Sequence, residues 1–282
     1  MNAILRLTCP DRPGIVAALT GFIHEHCGNI VHLDQHVDQE ADVFFARVEW
    51  QPGPAGHSRE HLHEALEALV RPLEPMGMSL DFDDRRPRMA IFVTRESHCL
   101  YDLLVRVESG DLAVDIPLIV SNHETLRPDA EKFGIPFHHV PITRETKAEQ
   151  EKRQLALLAE HDVDVVVLAR YMQILSEDFL DAFGGAVINI HHSFLPAFIG
   201  ARPYHQAYER GVKIIGATSH YVTSELDRGP IIEQDVIRVS HEDTIEDLIR
   251  QGKDLEKIVL ARAVWHHARH RVLTYNNKTV VF

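Results

Sequence analysis

Before residue 83 short apolar runs alternate with polar neighbours, and after residue 89 the runs become nearly continuous. Residues 4–7 form a brief apolar strand. Ile15, Val16, Leu19, Phe22 and Ile23 then recur at helical spacing. Asp11 is the expected N-cap of that helix, Pro13 falls in its first turn, and Gly28 caps its end. Val31, Leu33 and Val37, and then Phe44, Ala46, Val48 and Trp50, alternate with polar residues, which predicts two strands joined by a hairpin loop over 38–42. Leu62, Ala65, Leu66 and Leu69 mark a second helix, and residues 78–82 a closing strand. Strand, helix, strand, strand, helix, strand in this order predicts an antiparallel sheet with two helices on one face, a ferredoxin-like sandwich.

Residues 83–88 are charged, polar and broken by Pro87, as a linker should be. The boundaries expected are a first domain over 1–83, a linker over 84–88 and a second domain over 89–282. In the second domain strand-like runs at 89–93, 116–120, 137–140, 163–169 and 186–190 are separated by helical stretches. These include the face of Leu100, Leu103, Leu104 and Val107, and a helix over 148–160. The run at 163–169 is apolar almost throughout, as in a parallel strand covered on both faces. The alternation predicts a doubly wound, mostly parallel α/β sheet. Further strands are expected at 214–221 and 231–239. A long last helix, marked by Ile245, Leu248, Ile249, Leu255, Ile258 and Val259, is expected to break at Gly252.

With 282 residues, two modest domains can each bury a core. The formal charge of -13 argues against a nucleic-acid or anionic-membrane partner. Lys147, Lys152 and Arg153 are interleaved with Glu149 and Glu151, the pattern of a solvated helix face. No apolar run approaches the roughly 20 residues of a membrane helix, and the first residues lack the charged-then-apolar pattern of a secretory leader. Cys9, Cys27 and Cys99 follow no pairing pattern, so a reducing, cytoplasmic location is expected. Among 20 histidines, His266, His267 and His270 fall in the last helix, where His266 and His270 would share a face. No His-Glu-x-x-His arrangement or nearby cysteine accompanies them, and His138-His139 and His191-His192 also lack ligand spacing. No metal is expected.

The candidate chemistry lies in Asn189-Ile190-His191 and in Asp227, within Ser224-Glu225-Leu226-Asp227-Arg228-Gly229-Pro230. An amide can polarise a carbonyl oxygen, an imidazole can move protons, and a carboxylate can hold the imidazole or a water. Asn189 and His191 sit at the carboxyl end of a predicted strand, where open α/β sheets gather ligands. No Gly-x-Ser-x-Gly is present and the cysteines stand alone, which points to direct transfer or hydrolysis without an acyl-enzyme.

Two resemblances add to this reading. Asp11-Arg12-Pro13-Gly14-Ile15-Val16, followed by Gly28-Asn29-Ile30, resembles an ACT domain. That resemblance implies a homo-oligomer and an amino-acid effector held at Asp11, Gly14 and Asn29, although such residues equally serve as caps and turns. Residues 187–196 with 220–231 resemble the folate-dependent formyltransferases. The resemblance implies that Asn189 donates to the formyl oxygen and that His191 stabilises that oxygen or shuttles protons. Asp227 would hold the attacking water and favour the charged form of His191. It places the pterin ring at the turn over 170–176, with Met172, Gln173 and Leu175, and against Val222 and Glu225. The same apolar residues would also suit plain core packing.

The chain departs from the purine transformylases twice. Their Gly-rich phosphate loop is replaced by Thr94-Arg95-Glu96-Ser97-His98-Cys99, where Arg95 alone is left to meet a phosphate. His192 stands where they typically carry proline, either ordering a water or merely filling space or pointing to solvent. With an ACT domain in front, these departures imply hydrolysis of 10-formyltetrahydrofolate to tetrahydrofolate and formate, with no cofactor beyond the folate substrate. Transfer of the formyl group to an amine is the alternative, and a non-catalytic ligand sensor a third reading.

Overall fold

The two hydrophobic regimes of the sequence become two units of the fold. A computed structural model describes residues 1–53, 58–196 and 202–282. One unit holds residues 1–85, 269–275 and 279–282, and the other residues 86–268 and 276–278.

The first unit begins with β1 (Ala3–Pro10), α1 (Ile15–Glu25), β2 (Asn29–Asp38), β3 (Val43–Gln51), α2 (Arg59–Val70) and β4 (Gly77–Phe82). The strands form an antiparallel sheet in the order β2-β3-β1-β4, the predicted ferredoxin-like arrangement. Alternate residues Leu5, Leu7, Phe44, Ala46, Val48 and Trp50 pack against the predicted helical stripes Ile15, Leu19, Ile23, Leu62 and Leu66.

Three local expectations need correction. Asp11 does not cap α1: Gly14, at φ +93°, is the N-cap residue, and the Asp11 N–H instead donates to the Asp42 carbonyl at 2.9 Å. At the other end Cys27, at φ +55°, takes the left-handed position. The Cys27 N–H reaches the His24 carbonyl at 3.0 Å and the Gly28 N–H reaches the Ile23 carbonyl at 2.8 Å, a Schellman closure. Gly28 is needed for space, since a Cβ there would lie 2.8 Å from both Ile23 Cγ2 and Trp50 Cδ1. Val31 does not join Leu33 and Val37 on the inner face. The pairing register shifts between Ile30 and His32, and Val31 is left 50% exposed.

The second unit runs β5 (Met89–Val93), α3 (His98–Glu108), β6 (Ile119–Ser121), α4 (Arg127–Lys132), β7 (Phe137–His139), α5 (Lys147–Glu160), β8 (Val165–Leu168), α6 (Glu177–Phe183), β9 (Ala186–His191), α7 (Pro203–Arg210), β10 (Ile214–Tyr221), β11 (Ile231–Arg238) and α8 (Ile245–Ala268). Its seven-stranded sheet has the order β11-β10-β9-β8-β5-β6-β7. The five strands from β9 to β7 are parallel, while β10 pairs antiparallel with both β9 and β11. Successive strands step from β5 through β6 to β7 on one side, and the chain then returns to lay β8 on the other side of β5. That reversal opens a crevice at the strand ends.

Helix α8 runs through Gly252 without the expected break. The glycine is there for close packing: a Cβ would lie 2.1 Å from the Tyr204 hydroxyl. The helix ends at Ala268, so His270 lies beyond it at φ +52° and shares no helical face with His266. His266 Nε2 faces Glu233 at 3.9 Å, whereas His270 Nδ1 faces Asp81 at 3.4 Å. Among the described residues no helix is long and apolar enough to cross a membrane.

The last strands, β12 (Val272–Tyr275) and β13 (Lys278–Val281), form a hairpin. Leu273, Tyr275, Val280 and Phe282 pack with Val43 and Phe45 on the face of the first sheet away from its helices. Arg47, only 3% exposed, donates to the carbonyls of His270 at 3.1 Å and Arg269 at 3.2 Å, and Arg6 donates to that of Val272 at 3.1 Å. Most of residues 269–282 therefore belong with the first unit, not with the 89–282 domain expected from sequence. Antiparallel sheets in small α+β units need a cover on the second face wherever it is apolar, and the C-terminal hairpin supplies it here.

Candidate active site

Strand periodicity places Asn189 and His191 on one face of β9, because residues two apart point the same way. In the β9–β10 register Asn189 lies opposite His220. The loop after β10 returns Asp227 to this point. Its base is closed by the Tyr221 N–H on the Pro230 carbonyl at 2.9 Å and the Val222 N–H on the Val187 carbonyl at 2.8 Å. Asp227 adopts φ +56°, and Gly229 allows a close approach, since a Cβ there would lie 1.7 Å from the Tyr221 carbonyl oxygen.

The three polar groups singled out from the sequence converge. His191 Nδ1 lies 3.5 Å from Asp227 Oδ2, and His220 Nε2 lies 3.9 Å from Asp227 Oδ1. The hydrogen bond from His191 is the main reason the Asp227 carboxyl is held below its ordinary value. His220 joins Asn189 to this group: its Nδ1 meets the Tyr221 carbonyl at 2.9 Å, so that nitrogen carries the proton. Its Nε2 is then an acceptor, and takes an N–H of the Asn189 amide at 3.3 Å. Burial lowers the His220 pKa and keeps the ring neutral. Fixed by this bond, the amide retains a second N–H. His191 Nε2 is buried and has no protein hydrogen-bond partner among the described residues.

These groups border a cavity of about 330 Å³. Met172, Gln173, Leu175, Val222, Glu225 and His192, the binding residues expected from sequence, all line it. Met172 and Ile174 are 59% and 60% exposed, so they are free to meet a flat apolar ligand, whereas Leu175 is buried in the core. The turn that carries them is pinned at both ends. The Met172 N–H donates to Thr94 Oγ1 at 3.0 Å, and the Ser176 N–H and hydroxyl donate to Glu151 at 3.0 and 2.5 Å. Gln154 donates to the Tyr171 hydroxyl at 2.8 Å. Glu151 is thus buried, contrary to the solvated face expected of that stretch. Asp11, Gly14 and Asn29 lie in the first unit, Gly14 just ahead of α1 and Asn29 opening β2, and take no part in this cavity. Arg95 is exposed.

Sequence reasoning missed a buried polar group beside His192. Glu256, 1% exposed on α8, accepts hydrogen bonds from His98 Nε2 at 2.8 Å and the Tyr204 hydroxyl at 2.8 Å. Arg170 Nε lies 3.5 Å from the same carboxylate, and Arg170 Nη1 donates to His192 Nδ1. Burial pushes the Glu256 carboxyl up, but the His98 bond and the Arg170 charge outweigh it and hold the group below its ordinary value. Burial and then the Arg170 charge push the His192 pKa down to about 4. The signal available in the sequence was position: Glu256 falls in register with Gly252, Leu260 and Ala263 on the inward stripe of α8. His98, Cys99 and Glu256 offer atoms within 4.8 Å of one another. They suit a cation poorly, because the carboxylate is already engaged beside a guanidinium and burial keeps the Cys99 thiol protonated.

Comparison with known proteins agrees with both units. Residues 87–264 match the formyl transferase family and residues 3–69 the ACT domain family. A formyltetrahydrofolate deformylase of Synechocystis sp. is 54% identical over 282 residues, covering 100% of this chain and 99% of its own. Its Bacillus subtilis namesake is 49% identical over 279 residues, covering 99% and 93%. The crystal structure of a formyltetrahydrofolate deformylase from Pseudomonas syringae pv. tomato superposes with a TM-score of 0.95 at 46% identity, covering 100% of this chain and 94% of that one. Likeness at this level across both units and their order, not over the catalytic half alone, assigns the protein: it belongs to the formyltetrahydrofolate deformylase family.

Proposed function

We propose that the protein hydrolyses 10-formyltetrahydrofolate to tetrahydrofolate and formate, and that Asn189, His191 and Asp227 carry the reaction. The observation that supports this most directly is the convergence of an anchored amide, an imidazole and a carboxylate on the wall of one cavity. The His191–Asp227 separation there is 3.5 Å.

Water attacks the formyl carbon as the carbonyl π pair moves onto oxygen. The free N–H of Asn189 and His191 Nε2 meet that developing oxyanion; one such donor is typically worth about 2.7–4 kcal/mol. Asp227 remains a carboxylate at neutral pH because His191 holds its pKa down. One carboxylate oxygen engages His191, and the other lies 3.9 Å from the unprotonated Nε2 of His220, which leaves it to accept a proton from the water. The C–N10 bond then breaks, its electron pair stays on nitrogen, and the proton taken from water passes through His191 to N10. Formate and tetrahydrofolate leave. The proposed chemistry uses side chains and water alone, with no metal or cofactor.

The exposed Met172 and Ile174 suit the faces of a pterin ring, and the main chain at Gln173, Leu175, Val222 and Glu225 its polar edge. In the first unit Asp11, Gly14 and Asn29 are assigned to an amino-acid effector in a homo-oligomer. The free thiols Cys9, Cys27 and Cys99 suit a cytoplasmic enzyme. The test is formate release by the purified protein from 10-formyltetrahydrofolate with no amine present. Loss of the formyl group only when an amine is added, with that group recovered on the amine and no formate released, would replace hydrolysis with transfer.

A further inference from the structure

A buried carboxylate, a guanidinium and an imidazole stand in line behind the proposed catalytic groups. Glu256 receives Tyr204 on one oxygen and His98 on the other, so its position is over-determined. Arg170 Nε faces that carboxylate at 3.5 Å, an ion pair and not a hydrogen bond. The Arg170 backbone is itself constrained, at φ +62° two residues past the end of β8, the strand beside the switch point. From there Nη1 donates to His192 Nδ1. Guanidinium nitrogens only donate, so Nδ1 of His192 must be an unprotonated acceptor and the one ring proton must sit on Nε2. The His192 ring stacks on His191 with centroids 5.2 Å apart and planes at 23°, and it lines the same cavity.

The geometry points to Arg170, seated on Glu256, as a positioning residue that fixes His192 with its proton on Nε2, so that this N–H holds the attacking water against Asp227. A water that accepts from His192 and donates to Asp227 has its remaining lone pair left for the formyl carbon. An unanchored His192 could present an acceptor in place of that donor, and the water would turn. Such a ring beside His191 also carries no charge to compete with the His191–Asp227 pair, in keeping with a His192 pKa of about 4. This assignment rests on the hydrolytic reading above, but its first test does not.

The tautomer is read in the free, full-length protein with ¹⁵N-labelled histidine and long-range ¹H–¹⁵N spectra, assigning His192 by its loss in His192→Gln. A proton on Nε2 is expected, and a proton on Nδ1 overturns the proposal whether or not the protein hydrolyses folate. Turnover is then compared in Arg170→Gln and Arg170→Lys. Arg170→Gln should lower kcat for formate release by about 10- to 100-fold, the scale on which misplacing a reacting group acts, with KM changed less than about threefold. In the same variant His192 should lose its single tautomer. Arg170→Lys, which keeps a cationic donor, should recover at least part of both. A kcat for Arg170→Gln within about threefold of the parent, or an unchanged His192 tautomer in it, overturns the proposal. Absence of formate release by the parent protein, with the Nε2 tautomer intact, would refute the hydrolytic reading instead.

Discussion

At the scale of single residues the proposed roles are separable by conservative changes. Asp227→Asn preserves shape but removes the charge that would take a water proton. It is expected to lower kcat by at least about 100-fold, the usual worth of a general base, with KM and thermal midpoint little changed; steady-state formate assays and a melt decide it. His192 carries a second consequence. Burial and Arg170 hold its folded-state pKa at about 4, while a free imidazole titrates near about 6.5. Between those values the unfolded chain binds a proton that the folded one refuses. The associated stability is therefore complete above about 6.5 and declines as pH falls toward 4. His192→Gln should cancel about 2 kcal/mol of the parent's loss between pH 7 and pH 5, measured by urea unfolding at both values. Asn189, His191 and Asp227 were legible in the sequence because polar residues stood out at the ends of apolar runs. Glu256 and Arg170 were not: a charged residue on a predicted helix or turn reads as solvated, and the partners that neutralise it are distant in sequence, such as His98 158 positions from Glu256.

Among elements, periodicity located the long helices and most strands, and its failures have local causes. A bulge reversed Val31, and a helix shorter than two turns, such as α4, has too few positions to show a period. Glycine was ambiguous in the same way. Gly252 was expected to break α8 because glycine costs a helix about 1 kcal/mol relative to alanine, yet it is kept for the Tyr204 ring. Gly252→Ala should therefore lose more to displaced packing than it gains in propensity. The expected net destabilisation is about 1–3 kcal/mol in denaturant melts, and kcat should fall with it, because Tyr204 also bonds Glu256. A stabilised variant of full activity would contradict that account of the helix.

For the molecule as a whole, the order of domains and the fold of each were readable, but the destination of the last residues was not. Val272 to Val281 look like any short hairpin, and nothing local says which sheet they cover. Removing residues 269–282 should strip the buried face of Val43, Phe45 and Arg47 and orphan the Arg47 guanidinium. Increased binding of a hydrophobic dye and loss of a cooperative transition in the first unit are expected; unchanged melting would mean the hairpin is dispensable. The same hairpin sets an order on biosynthesis. Residues 1–85 are made before residues 86–268, but the strands that close their open face come only after that stretch. The earlier unit must wait, with one side of its sheet uncovered, until the hairpin has been made.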